Sequence, residues 1–302
     1  MMMIATVSLL VLVMSSSLPG PTLTRRTLST RPAVGPDLIV GRATCHEATW
    51  VLTERLQLVA IAHASGAFTT RVVHGFRRDE RPWGLACLPD DTLWTLSSAR
   101  AVARIDPDGH ILETVTVRLP RVVLFAAGRR LLYQQLPFVP GAPILATSPP
   151  RAPADVREWP GLIGRSAASR EELLSRNLAN CGMADGSRVP CWFADEARIV
   201  VSDGNAVKSV ALPWLLLRGV DREAPVWDVA LVPSGGLWLL AATGPRSGEE
   251  GRAGGQLIHL DQRGSEITSI VLKPRARLIV TAAEHRCLIL GVNGDVVEVL
   301  EG

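Results

Sequence analysis

Along most of this chain hydrophobic and polar residues alternate in short runs, and the runs end in Pro, Asp, Asn or Gly. Period-two alternation marks a half-buried β-strand, and the residues that end the runs are those that tight turns require. Gly84 to Leu88, Thr92 to Ser97, Ala101 to Ile105 and His110 to Val117 read as four consecutive strands of one sheet. Pro89-Asp90-Asp91 and Asp106-Pro107-Asp108-Gly109 supply turns between them. The same layout returns from Val226 to Lys273, with a glycine-rich insertion from Thr243 to Gly255 between the second and third strands.

The two regions are copies. Trp83-Gly84-Leu85-Ala86-Cys87-Leu88-Pro89-Asp90-Asp91-Thr92-Leu93-Trp94 is matched position for position by Trp227-Asp228-Val229-Ala230-Leu231-Val232-Pro233-Ser234-Gly235-Gly236-Leu237-Trp238. A repeated four-stranded unit predicts an all-β, six-bladed β-propeller, with seven blades as the alternative. The copies start about 144 residues apart, or three blades of roughly 40 to 50 residues each. Fainter strands fill the gaps, among them Leu58 to Ile61, Arg121 to Leu136, Arg198 to Leu212 and the run after Arg277, where Asn293-Gly294 is a hairpin turn. The last blade is one strand short, and Asp37 to Gly41 is the expected strand to complete it. Pro137 to Ala179, rich in Pro, Arg and Ala, reads as an insertion carrying a short helix behind the capping box Ser169-Arg170-Glu171-Glu172. The expected organisation is a signal peptide over 1–20, a flexible linker over 21–36, and a propeller over 37–302 with an insertion at about 137–179.

The uncharged apolar run from Ile4 to Met14 has the length of a signal-peptide core and is shorter than a membrane span. It predicts a secreted or periplasmic protein with no membrane span in the mature chain; an uncleaved N-terminal anchor is the alternative. The mature chain is expected to begin between about Ser17 and Thr24. The net charge is +3 and is spread thinly, so no basic patch points to nucleic acid. Hydrophobic residues at 47% supply a substantial core, and a monomer is expected. Of the five cysteines, Cys181 and Cys191 flank a turn-forming stretch and predict a disulfide. Cys45 and Cys87 are placed to pair between adjacent blades, and Cys287 is left over as a buried thiol.

Arg81-Pro82-Trp83-Gly84-Leu85-Ala86, then Asp91-Thr92-Leu93-Trp94 and Arg104-Ile105-Asp106-Pro107-Asp108-Gly109, resembles the blade repeat of NHL-repeat proteins, streptogramin lyases and the SMP-30/gluconolactonase group. The resemblance covers two blades well. It implies the fold and, for the lactonase group, a metal-binding glutamate in a Glu-Gly-Pro-x-Trp segment. Glu223-Ala224-Pro225-Val226-Trp227 looks similar to that segment but lies in a late blade. The family's other ligands have no matching positions.

The chain's own chemistry is sparse. The six histidines are scattered, and no phosphate loop, nucleophile elbow or Cys-x-x-Cys pair occurs. The best candidates for ligand binding are the residues that lead into the inner strands of the two copies: Asp79, Glu80, Arg81 and Trp83, with Arg222, Glu223, Trp227 and Asp228. Such loops converge on one mouth of the channel. Two functions follow as expectations. One is an exported, noncatalytic scaffold for a protein or small ligand, with no cofactor. The other is a metal-dependent hydrolase or lyase of the lactonase type using calcium or magnesium; the sequence assigns no metal ligands and no catalytic residue.

Overall fold

The computed structural model describes residues 21–29, 31–76, 82–98, 101–116, 121–135, 143–147, 157–163, 181–182, 186–193, 197–217, 226–243, 254–273 and 276–302. Six antiparallel sheets make a six-bladed β-propeller. Strand β1 (Leu23–Thr27) comes first in the chain but belongs to the last blade. Blade 1 is β2 (Ile39–Thr44), β3 (Ala48–Thr53), β4 (Gln57–Ala62) and β5 (Phe68–Val72). Blade 2 is β6 (Trp83–Cys87), β7 (Leu93–Ser98), β8 (Ala101–Ile105) and β9 (Ile111–Thr116). Blade 3 is β10 (Arg121–Ala127), β11 (Arg130–Gln135), β12 (Pro143–Thr147) and β13 (Arg157–Ile163). Blade 4 contains β14 (Val189–Phe193), β15 (Arg198–Ser202) and β16 (Val207–Ala211), followed by the short helix α1 (Pro213–Leu217). Blade 5 is β17 (Val226–Leu231), β18 (Leu237–Thr243), β19 (Gly254–Leu260) and β20 (Glu266–Leu272). Blade 6 is β21 (Ala276–Ala283), β22 (Arg286–Gly291) and β23 (Val296–Glu301), closed by β1.

The core lies in the seams between blades. Val40, Leu52 and Leu58 of blade 1 pack against Leu85, Leu93 and Ile105 of blade 2, and Leu240 and Leu257 of blade 5 pack against Ile279, Ile289 and Val297 of blade 6. Each such side chain, fully buried, contributes about 1.5–3 kcal/mol. The repeat is visible in the register. Trp50, Trp94 and Trp238 stand opposite Ala43, Ala86 and Ala230, at the same place in blades 1, 2 and 5. Trp83 and Trp227 both fall where the first strand of the blade bulges, three blades apart.

The strand that closes the ring is β1, not Asp37 to Gly41. It pairs with β23 from Leu23↔Glu301 to Thr27↔Val297, so the segment expected as a free linker contributes a strand. Ile39 to Thr44 is instead the innermost strand of blade 1, where Val40 and Ala43 are buried. The difference is physical: an inner strand needs apolar residues on both faces, whereas an outermost strand such as Leu-Thr-Arg-Arg-Thr is mostly exposed and carries no hydrophobic signature. Within 137–179, β12 and β13 are the third and fourth strands of blade 3, so that stretch is in part ordinary blade. The capping-box segment lies outside the described residues.

In blade 4 the inner position is marked by a fragment. Cys181 pairs with Cys191 in an isolated antiparallel bridge on the open side of β14, and Gly182 N donates to Pro190 O at 2.8 Å. A side chain at Gly182 would collide with Val229 of β17, so glycine lets this fragment approach the next inner strand. The Cys181–Cys191 disulfide fastens the fragment, and Cys45–Cys87 ties the ends of the inner strands of blades 1 and 2. Replacing Cys181 and Cys191 with Ser should lower stability by about 2–3 kcal/mol in denaturant unfolding under oxidising conditions. An unchanged midpoint would show that the ladder alone holds the fragment.

Candidate functional site

Of the eight residues expected at the channel mouth, Asp79, Glu80, Arg81, Arg222 and Glu223 lie outside the described residues. Trp83 and Trp227 are placed by backbone only, in the equivalent inner strands β6 and β17. Asp228 is fully described, and it is buried, 1% exposed.

Its position is unusual for the repeat. Asp228 stands opposite Leu240, as Gly41 stands opposite Leu52, and Gly84 is its match in the sequence copy. At the two glycines the inner strands of blades 1 and 2 meet backbone to backbone: a Cβ on Gly41 would lie 2.6 Å from the Gly84 carbonyl carbon. Blade 5 puts a carboxylate where those blades need no side chain. Burying that charge is costly unless it is paired and hydrogen-bonded, and here three donors meet it. The Arg42 guanidinium forms an ion pair with Oδ2, Ile279 N donates to the same oxygen at 2.6 Å, and Val229 N donates to Oδ1 at 2.9 Å. Arg42 Nη1 also donates to Ile279 O at 3.3 Å, and its side chain is 8% exposed. Arg42 comes from β2, Asp228 from β17 and Ile279 from β21, so one salt bridge ties the inner strands of blades 1, 5 and 6. Sequence reading missed Arg42. Its signal was a single cation inside the apolar strand Ile39-Val40-Gly41-Arg42-Ala43. Cys287 is buried and free, and burial, reinforced by the Asp228 charge, pushes its thiol well above the usual range, so it is an inert packing group.

Other polar clusters among the described residues are engaged within the blades and their turns. His259 is 3% exposed, stacks on Trp238 at 4.3 Å between ring centroids, and its Nδ1 lies 2.9 Å from Glu301 Oε2. Asp106, Asp203 and Asp261 each occupy the turn between third and fourth strands and accept backbone amides there. Those amides hold all three carboxyls below the usual range. Among the described residues the one trio of potential metal ligands is Cys45, Cys87 and Asp91. Two of its members are joined as a disulfide, which removes them as thiolate ligands.

The electrostatics of the centre are thus those of a matched pair. A carboxylate that already accepts from a guanidinium and two amides has little capacity left for a divalent ion, which favours several unengaged oxygens.

No family model and no curated protein sequence matches the chain. Solved structures do match its fold. A catalytically inactive form of virginiamycin B lyase from Staphylococcus aureus, determined with quinupristin, aligns over 93% of this chain and 99% of its own at 10% identity, with a TM-score of 0.50. The PQQ-bound aldose sugar dehydrogenase of Streptomyces coelicolor aligns over 93% and 99% at 13% identity, with a TM-score of 0.53. Regucalcin from Agrobacterium tumefaciens, a calcium-binding protein, aligns over 93% and 94% at 14% identity, with a TM-score of 0.52. At these identities the likeness establishes the propeller fold, which serves a lyase, a dehydrogenase and a calcium-binding protein alike.

Proposed function

We propose that this chain is an exported β-propeller acting as a noncatalytic scaffold that presents the mouth of its channel to a protein or small ligand. The observation that carries this reading is the Arg42–Asp228 pair: among the described residues the one carboxylate expected at the mouth is engaged in joining three blades. On this reading the segments around Glu80 and Glu223, which precede the inner strands of blades 2 and 5 in the sequence, supply the binding surface. The two disulfides suit an oxidising compartment. Among the described residues no helix is long and apolar enough to cross a membrane. Export then places the cleavage ahead of Leu23, since β1 is needed to close the ring.

The alternative, a metal-dependent hydrolase or lyase of the lactonase type, rests on the acidic entry loops and on the blade resemblance. Lactone hydrolysis by the mature protein with added calcium or magnesium separates the two. The scaffold reading expects no metal-dependent turnover, and a Glu80→Gln/Glu223→Gln variant that keeps its melting temperature but no longer retains the partner captured by the wild type. Turnover that appears with metal and vanishes in that variant would establish the enzyme instead.

A further inference from the structure

A second site lies away from the channel, at the seam between blades 3 and 4. A hollow of about 150 Å³ is bounded by the first turn of blade 3, the outer strand β13, and the turn between β15 and β16. Arg129 and Arg130 come from the first of these, Glu158 and Trp159 from the second, Asp203 and Gly204 from the third. The Gly204 turn rests on the Trp159 ring: a Cβ there would lie 2.8 Å from the indole, and φ is +86°, so glycine is required twice over. Trp159 is 4% exposed and is fixed among Ala127, Ala146 and Val200.

Two residues that line this hollow each carry a donor that is buried without a hydrogen-bond partner in the protein, the Trp159 indole Nε1 and Arg130 Nη1. Among the described residues Arg130 has no ion pair either. Buried donors are almost always satisfied, and an orphaned pair at one hollow calls for an acceptor supplied from outside. We propose that this seam binds a carboxylate, held by the Arg130 guanidinium and the Trp159 indole N–H. The guanidinium fork suits a planar oxyanion, and the volume holds one small functional group rather than a drug-sized ligand. The rim sets the charge. Glu158 and Asp203 stand against Arg129 and Arg130, and the amides of Ala206 and Asn205 keep Asp203 ionised. These four charges sum to zero, so a carboxylate is held by the two donors and not by an excess of positive charge, and a dianion such as phosphate is disfavoured near neutral pH. The carboxylate is either a free small acid or the terminus of a polypeptide.

The test follows the Trp159 indole N–H by nuclear magnetic resonance in the full mature chain, assigned by its loss in Trp159→Phe. Sodium acetate should shift this resonance saturably at constant ionic strength, and inorganic phosphate should bind at least about tenfold more weakly. Arg130→Gln, at a half-buried position, should fold normally and weaken acetate by about tenfold or more. A short peptide with a free terminal carboxylate that binds about tenfold tighter than both acetate and its own amide assigns the site to a polypeptide end; one no tighter than acetate assigns it to a free acid. An indole resonance unmoved by acetate, moved equally by chloride, or unaffected by Arg130→Gln overturns the site, and tighter binding of phosphate overturns the carboxylate assignment.

Discussion

Replacing Arg42 with Met should destabilise the protein by about 3–5 kcal/mol, the effect of leaving a buried charge without its partner. Asp228 would keep the amides of Ile279 and Val229 but lose its cation, inside a site where it is 1% exposed. Asp228→Asn should cost a similar amount for the opposite reason, because the Arg42 guanidinium then sits 8% exposed without an anion. The double variant should lose clearly less than the sum, since neither half then leaves the other charged and unpaired. Guanidinium unfolding of the four proteins measures this cycle. Single losses within about 1 kcal/mol, or strict additivity, would show that the pair does not join the blades. A hydrophobic replacement of both residues could equal the wild type, so the pair's role is read from the coupling and not from the single losses.

Removing the chain through Thr27 should have the other large effect. Without β1, blade 6 ends at β23, whose freed edge invites pairing with another molecule. Five residue pairs are lost, as is the contact of Arg26 Nη2 with Glu298 at 2.6 Å. Glu298 is a junction: it also accepts Arg286 Nε at 2.7 Å, while Arg286 reaches the carbonyls of His63 at 2.7 Å and Ala64 at 2.9 Å in blade 1. The truncated protein should elute as oligomers and melt early, and a monomer with wild-type melting would contradict this. The same junction fixes a pH dependence. The Arg286 hydrogen bond, with Arg26 adding, holds Glu298 below the usual glutamate range. A depressed folded value means that its contribution is fully present above the unfolded value of about 4.3 and is lost as pH falls through the folded one. In the full-length protein, Glu298→Gln should flatten the stability profile in that acidic window.

The two blades with the clearest alternation were legible strand by strand, because Asp and Gly fix their turns and a Trp recurs opposite an Ala. Legibility failed where a strand's stability comes from its neighbours. The polar strand β1 is held by pairing with β23 and by Glu298, neither visible in its own residues. The inner fragment of blade 4 depends on a disulfide, and β12 and β13 lie among Pro and Arg residues that suggest a loop. For the centre, Asp228 was expected among the residues at the mouth, but its partner lies 186 positions away in the chain. No local pattern joins Arg42 to it. The seam hollow drew no attention in the sequence, since Arg130 on β11 and Trp159 on β13 lie two strands apart in one sheet and 29 positions apart in the chain, and share only the hollow that both line.

A structural anion at Asp228, committed to Arg42, is not a metal ligand. Calorimetric titration of the mature protein with calcium and with magnesium tests this directly. The prediction is no saturable one-to-one binding in the wild type. One equivalent of calcium bound tightly, and lost in Asp228→Asn, would contradict it.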